Sequence, residues 1–322
     1  MSELEYSFGS LFIDSGAHTL YNSYVLNKKK VGSHGRELDV KVVWGRGDFS
    51  FYSLKKGSEF RKYCDIYASF IKKFQHTGII FVTVDVISNP ALTWEVQKYF
   101  EEEHGVQPVP VVHYNTPMEW VDRYIESGKY TLLGVGGLGQ GVTRQEYVSW
   151  GDKFFSHICP KWNDYMPLIR THGFAMTSWS LMRRWPWWSV DSATWKKIAG
   201  FGWIWVPRWS EKHGWRFDKP PMTIGISYRS PALKTREHYL SMGEEGRRVV
   251  DMWLEELGVP LGRVYKGEPV EEGVMTEFFW REVVNLHYIK RLEESFPEWP
   301  VPLDPTVVRR GKVKYFSGLL SL

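Results

Sequence analysis

Cysteine is nearly absent from this chain: 322 residues contain only Cys64 and Cys159. Two cysteines make neither a disulfide framework nor a Cys-x-x-Cys metal motif, so a reducing, intracellular setting such as the cytoplasm is expected. No run of about 18 apolar residues occurs, and no membrane-spanning helix is expected. The first residues, Met1-Ser2-Glu3-Leu4-Glu5, lack the basic and apolar regions of a secretory signal. No segment repeats at a period of roughly 20 to 50 residues, which argues against solenoids and arrays. Strong charge of one sign is missing too. The 41 Lys and Arg stand against 37 Asp and Glu, for a net charge of +4, and the pI is about 8.8. This balance permits a polyanionic partner without requiring one.

Aromatic residues are plentiful, at 16% of the chain with 17 Trp. They read as core filling or, in part, as a surface on which bases stack. Basic residues cluster at Lys28-Lys29-Lys30, at Arg183-Arg184 and in the tail Arg309-Arg310-Gly311-Lys312-Val313-Lys314. Each cluster reads either as a solvated face or as a nucleic-acid contact. Arg183 and Arg184 lie beside Trp185, Trp187 and Trp188, which makes this stretch a candidate rim for a polynucleotide.

Apolar runs alternate with helical periodicity. Strands are expected at residues 11–14, 79–84, 108–113, 130–135, 171–176, 187–190, 203–206 and 223–227. Helices are expected at 59–73, 91–103, 118–127, 144–159, 178–184 and 192–199. In 59–73, Phe60, Tyr63, Ile66, Tyr67, Phe70 and Ile71 recur at spacings of three and four, the mark of one apolar helix face. Eight strands separated by helices predict an α/β fold with a parallel sheet. A (β/α)8 TIM-like barrel of about 250 residues fits the length. Residues 28–57 would form a long insertion after the first strand. Long amphipathic helices are expected at 244–256 and 275–294. The expected division is a barrel over 1–230 and a helical C-terminal segment over 231–322 packed on it.

Polar residues stand where the strands end: Asp14, Asp85, His113, Gly136, Gly137, His172 and Asp191. The carboxyl ends of parallel barrel strands meet at one face, and an acid there is costly unless it is partnered or used. Two carboxylates flanking a glycosidic bond suit glycosyl transfer. A Gly-Gly turn presents backbone N–H groups with no Cβ in the way. Bland readings stand beside these: Asp191 as a helix cap, His113 and His172 as core histidines, Asp14 as a turn residue.

The motifs then resemble those of the tRNA-guanine transglycosylase superfamily. Asp14-Ser15-Gly16-Ala17-His18-Thr19 is similar to that family's Asp-Ser-Gly-Gly-aromatic-Gln loop. Thr83-Val84-Asp85-Val86 resembles its second aspartate segment. Leu133-Gly134-Val135-Gly136-Gly137-Leu138 resembles its Ile-Gly-Gly-Leu turn. His172-Gly173-Phe174, followed by Asp191, resembles its Met-Gly-Val-Gly segment and nucleophile. The order holds over residues 11–206. The resemblance implies that Asp191 attacks C1′ and that Asp14 acts as acid and base. It implies that Ser15, His18, Asp85, His113, Gly136, Gly137 and His172 contact the base. Arg183, Arg184, Lys28, Lys29 and Lys30 are the candidate nucleic-acid contacts. Ala17 stands for a Gly and Thr19 for a Gln, and no Cys follows Cys159. The three-Cys, one-His zinc site of the tRNA enzymes is therefore not expected. The resemblance is greatest to DNA 7-deazaguanine transglycosylases, pentosyltransferases that place a base such as preQ0 in DNA, with no cofactor and no metal. Alternatives remain: the same chemistry on tRNA, a non-catalytic nucleic-acid-binding barrel, and an unrelated barrel glycosidase. The oligomeric state is not legible.

Overall fold

A computed structural model describes residues 12–15, 50–53, 58–87, 89–137, 142–176, 178–230, 233 and 235–306. The chain divides into two compact units. One comprises Met1–Phe174, Trp185–Val190 and Pro302–Leu322; the other comprises Ala175–Arg184 and Asp191–Val301. The division therefore does not fall at residue 230. Residues 191–230 belong to the same unit as residues 231–301, and the chain returns to the first unit twice.

The first unit is α/β with parallel strands. Strand β1 (Phe12–Ile13) pairs with β2 (Ile80–Phe81). A parallel bridge, Val82 with Val109, leads on to β3 (Val111–His113), β4 (Leu132–Gly136), β5 (Arg170–Gly173) and β6 (Ser189–Val190), each parallel to the last. All five residues of β4 are buried, as expected for a strand covered on both faces. The ring of Phe12 on β1 stacks on His172 of β5, with centroids 4.3 Å apart. In a flat sheet, four strand spacings would hold them about 19 Å apart. The sheet is therefore strongly curved, and its first and fifth strands meet across its inner face.

Local chemistry explains the helices between. Helix α1 (Glu59–Phe74) starts at Ser58, whose side chain accepts from the Arg61 N–H. Its buried Phe60, Cys64, Tyr67, Ala68 and Ile71 form one stripe against β2. Helix α2 (Pro90–Glu102) opens with proline, and the Asn89 side chain caps Leu92 N–H at 3.0 Å. Proline at the first helical position forfeits a donor the helix could not use. Helix α3 (Met118–Glu126) follows β3. Helix α4 (Arg144–Ile158) begins with a reciprocal Thr143–Glu146 capping box, which satisfies two end-group donors at once.

The second unit has a different plan. It contains α5 (Trp179–Met182), α6 (Thr194–Gly200), β7 (Trp203–Val206), β8 (Arg208–Ser210), β9 (Gly214–Arg216), β10 (Met222–Gly225), α7 (Glu244–Glu256), β11 (Arg263–Tyr265), β12 (Glu268–Glu271) and α8 (Phe278–Glu294). The segment expected as an eighth parallel strand, 223–227, forms β10 instead and runs antiparallel to β7. A run of apolar residues gives no sign of strand direction. Strands β8–β9 and β11–β12 are antiparallel hairpins that were not expected. Ile204, Val206, Ile224, Trp253, Val284, Tyr288 and Leu292 build the core. Asn285 fixes the edge of β7 by accepting from Trp205 N–H at 2.7 Å and donating to Trp195 O at 2.9 Å. Among the described residues no helix is long and apolar enough to cross a membrane.

His238 in this unit is fully buried. Its Nδ1 accepts from Leu240 N–H at 3.2 Å, and its Nε2 donates to Ser227 O at 3.1 Å. Burial holds its pKa below the ordinary value, against the opposing pull of the Ser227 bond. The neutral ring is the one the fold accommodates. Its contribution to stability is therefore complete above the unfolded pKa of about 6.5 and is lost as pH falls towards the lower folded pKa. Thermal unfolding followed from pH 7 to pH 5 should show this loss, at no more than about 1.4 kcal/mol per pH unit for one proton. A His238→Asn variant should show a flatter profile; an unaltered pH dependence would refute the assignment.

Candidate functional site

The carboxyl ends of β2, β3 and β4 bring three of the expected residues together. Asp85 follows β2, and its Oδ2 lies 2.8 Å from Nε2 of His113, the last residue of β3. Both side chains are largely buried. Burial of a carboxylate is tolerable when it is paired in this way. The His113 N–H donates to Thr116 Oγ1 at 3.1 Å, which fixes the backbone beneath the imidazole. In the β3–β4 register His113 stands opposite Gly136. A Cβ at Gly136 would lie 3.2 Å from His113 Cδ2. The glycine thus gives the imidazole room to lie close along the strand end.

Gly137 is constrained more tightly. Its φ is +100°, and a Cβ there would lie 2.7 Å from Tyr114 N and 2.8 Å from Tyr114 Cβ. Only glycine suits such a backbone. Gly134 serves a related purpose: a Cβ would lie 2.6 Å from Cε2 of Phe174. Phe174 packs edge-on against His172, with centroids 4.7 Å apart. His172 is thus held between Phe12 and Phe174, and its Nδ1 is 2.8 Å from Ser189 Oγ. At 2% exposure it is an internal imidazole in an aromatic clasp, one layer below the strand ends.

Asp14 follows β1 and is exposed, while Ser15 is buried. The Tyr63 hydroxyl donates to Ser15 O. Burial, with the charge of Asp14 second, holds the Tyr63 phenol above its ordinary pKa. One helical turn along α1, Tyr67 donates to Val82 O at 2.9 Å, with Ile13 O at 3.4 Å. Tyr63 thus ties the backbone just after Asp14 to α1, and Tyr67 ties the neighbouring β2 end to the same helix. Sequence reading missed Tyr63, Thr116, Phe12 and Phe174. Tyrosine on an apolar helix face reads as core, and nothing in its spacing reveals where the hydroxyl goes. Phe174 had a signal, because it adjoins His172-Gly173.

Asp191 belongs to the second unit and follows β6 in the chain. It is exposed, and its Oδ1 accepts from the Ala175 N–H at 2.8 Å, while its own carbonyl accepts from Met176 N–H at 2.7 Å. It does not cap α6, whose N-cap position is Ala193 with no side-chain bond. Ala175 has a φ of +55°, unusual for a residue with a side chain. The carboxylate is held to this turn by a charge-assisted bond.

The basic and aromatic stretch is used internally. The guanidinium of Arg183 donates to Phe217 O at 3.0 Å and Ser295 Oγ at 2.8 Å, and lies over the rings of Phe296 and Trp179. Arg184 is half-buried. Trp185 is a core residue: its Nε1 donates to Asp152 at 3.0 Å and its ring stacks on Phe155. Trp187 packs edge-on against the same ring. His18, Lys28, Lys29, Lys30 and the basic tail lie outside the described residues; of segment 28–57 only 50–53 are described.

Among the described residues no group of three or more His, Cys, Asp or Glu could hold a metal ion. Both cysteines are buried, and burial pushes the Cys159 thiol up to about 12. Neither is an activated thiolate. The polar groups at these strand ends are of the types that meet a flat polar heterocycle. Side chains of this kind, one carboxyl and one imidazole at adjacent strand ends, are hydrogen-bonding partners for the N–H and acceptor groups of such a ring. Comparison with models of protein families, with curated proteins and with solved structures finds no match to this chain.

Proposed function

We propose that this protein is a base-exchange transglycosylase that replaces guanine in DNA by a 7-deazaguanine such as preQ0. The observation that carries the reading is the Asp85–His113 pair seated against the glycine end of β4. Such a pair, beside backbone that no Cβ shields, suits recognition of a purine-like base. The finer architecture we propose is a TIM-like barrel with β1 to β6 as consecutive staves. The contact of Phe12 with His172 supports a sheet curved enough to close.

In this reading Asp191 attacks C1′ of a deoxyguanosine. The C1′–N9 bond breaks, its electron pair leaves with guanine, and Asp14 donates the proton that neutralises the departing base. The incoming 7-deazaguanine gives its N9 proton to Asp14, N9 attacks C1′, and the Asp191 carboxylate leaves. Bonds and protons balance, and no energy source is needed. Asp85 and His113 orient both bases, and the Gly136-Gly137 turn lies beside the ring carbonyl, with the Gly137 N–H beyond the last β3–β4 ladder pair as the donor. A target base must leave the stack to enter such a site.

The test is nucleoside mass spectrometry after incubation of the protein with guanine-containing DNA, or with tRNA, and a panel of 7-deazaguanines. A 7-deazaguanine deoxynucleoside in the DNA sample is the expected product. Modified nucleoside in tRNA alone would move the substrate to tRNA, and release of free base without incorporation would make the protein a hydrolase. No product from either polymer would refute the reading.

A further inference from the structure

We propose that the β8–β9 hairpin of the second unit is the surface through which this protein holds the phosphate backbone of double-stranded DNA. The inference rests on the reading of DNA as substrate, but it concerns a different part of the molecule from the base site.

Register is the first observation. Arg208 stands opposite Arg216, and Trp209 opposite Trp215. Directly opposed residues share a face of a two-stranded sheet, and successive residues alternate. The two arginines therefore project from one face and the two indoles from the other. The indole face is anchored: Trp209 packs on Trp215 at 4.9 Å, and Trp215 packs on the fully buried Trp253 at 5.0 Å and donates to Glu256. The arginine face is left outward, and Arg208 is exposed.

Like charges directly opposite each other destabilise a sheet, so stability gives no reason for this pairing. The fold answers one of them. Arg216 Nε donates to Asp218 Oδ1 at 2.6 Å, and Nη2 meets Oδ2. Among the described residues Arg208 uses its Nε alone, on Pro220 O at 3.2 Å. That bond fixes the plane of the guanidinium and leaves the terminal nitrogens forward. Lys212, in the hairpin turn, and Lys219, just beyond β9, are exposed. Among the described residues neither they nor Arg208 has a carboxylate within ion-pair distance, whereas Lys196, Arg263 and Arg291 of the same unit are answered by Glu282, Glu271 and Glu256.

Charge also segregates along the sequence. Residues 191–240 carry nine Lys or Arg and four Asp or Glu; residues 251–301 carry five and eleven. The hairpin lies in the basic half. A paired strand ribbon with a forked donor and two exposed ammonium groups suits a row of phosphates better than a single small anion. Arg183, by contrast, is bound to a carbonyl and a hydroxyl of its own unit.

The experiment is fluorescence anisotropy with a labelled 20-base-pair duplex and no free base, titrated across salt concentrations. The triple variant Arg208→Ser, Lys212→Ser, Lys219→Ser leaves the indole face intact, and its fold is checked by circular dichroism and thermal melting. Affinity should fall at least about tenfold at physiological salt, and the slope of log K against log salt should drop by about two to three. Arg208→Lys should keep most of the affinity. A charge-matched variant on α1, Lys62→Ser, Lys72→Ser, Lys73→Ser, should bind as the parent does. Unchanged binding in the hairpin variant would overturn the proposal, as would a parent that binds structured RNA and not duplex DNA. Base exchange is measured separately. Hairpin-dependent binding without turnover would support this surface while refuting the proposed chemistry.

Discussion

Asp191→Asn is expected to lower base exchange by at least about a thousandfold while moving the melting temperature by no more than about 2 °C. The two effects separate because the side chain has two separable properties. Its oxygen accepts the Ala175 N–H at 2.8 Å, and asparagine keeps an oxygen in that place. Asparagine lacks the charge and the nucleophilic oxygen needed to attack C1′. Asp191→Ala is the less informative change, because it also strands the Ala175 N–H at a turn with positive φ. The measurement is the initial rate of 7-deazaguanine incorporation into DNA, with denaturing electrophoresis to detect a protein–DNA adduct. The parent should form the adduct and Asp191→Asn should not. An Asp191→Asn protein of parental rate would make the aspartate a turn residue and remove the nucleophile from the mechanism.

The second large effect belongs to Gly137. Gly137→Ala should destabilise the protein by about 2 to 5 kcal/mol, the sum of a strained positive-φ backbone and an overlap that must be relieved. The overlap is with Tyr114 N at 2.7 Å. Tyr114 N itself donates to Gly136 O at 3.0 Å, so backbone cannot retreat without opening the β3–β4 end. Base exchange should fall at least about tenfold in the fraction that stays folded. Gly136→Ala makes the contrast. Its nearest obstacle, His113 Cδ2 at 3.2 Å, belongs to a side chain that needs to move only slightly. Stability should change by less than about 1 kcal/mol, while the Cβ occupies space beside the imidazole and weakens base binding. Urea titrations and exchange rates on both variants distinguish a turn that only needs glycine for its fold from one that also needs it for the ligand. Equal losses of stability in the two variants would contradict the backbone argument.

The first unit was more legible in the sequence than the second. Helix α1 declared itself by Phe60, Tyr63, Tyr67 and Ile71 at helical spacing, and α2 by Asn89-Pro90. Both signals are local, one of burial and one of capping, so neither depends on distant parts of the chain. Strand ends at His113 and Gly136 were placed by the apolar runs before them, and the nearness of Asp85 to His113 followed from adjacent parallel strands. The second unit hides its plan. Its β11–β12 turn, Lys266-Gly267, takes positive φ at both residues, as a two-residue hairpin turn requires, yet lysine gives little warning of that. Arg183 reads as a surface cation, and only the fold reveals that Phe217, Ser295 and Phe296 surround its guanidinium. Trp185 reads equally as rim or core, and Gly151 decides it: a Cβ there would lie 2.4 Å from the indole, so that helix surface is cut to receive the ring. Such complementarity between residues far apart in sequence leaves no trace in either segment alone.

The chain passes from one compact unit to the other after Phe174, Arg184, Val190 and Val301. Four passages mean that no single cut frees either unit. A chain ended at residue 230 would keep β7 and β10 while discarding α7 and α8, whose Trp253, Val284 and Tyr288 share their core. A nick by a protease within residues 191–301 would leave two fragments, each carrying part of both units. The second unit is thus discontinuous in the chain, and its two stretches leave the first unit just after β5 and β6. Shortening the connections at 174–185 and 190–302 is therefore the operation that would test whether the first unit stands alone, and excision at either terminus is not.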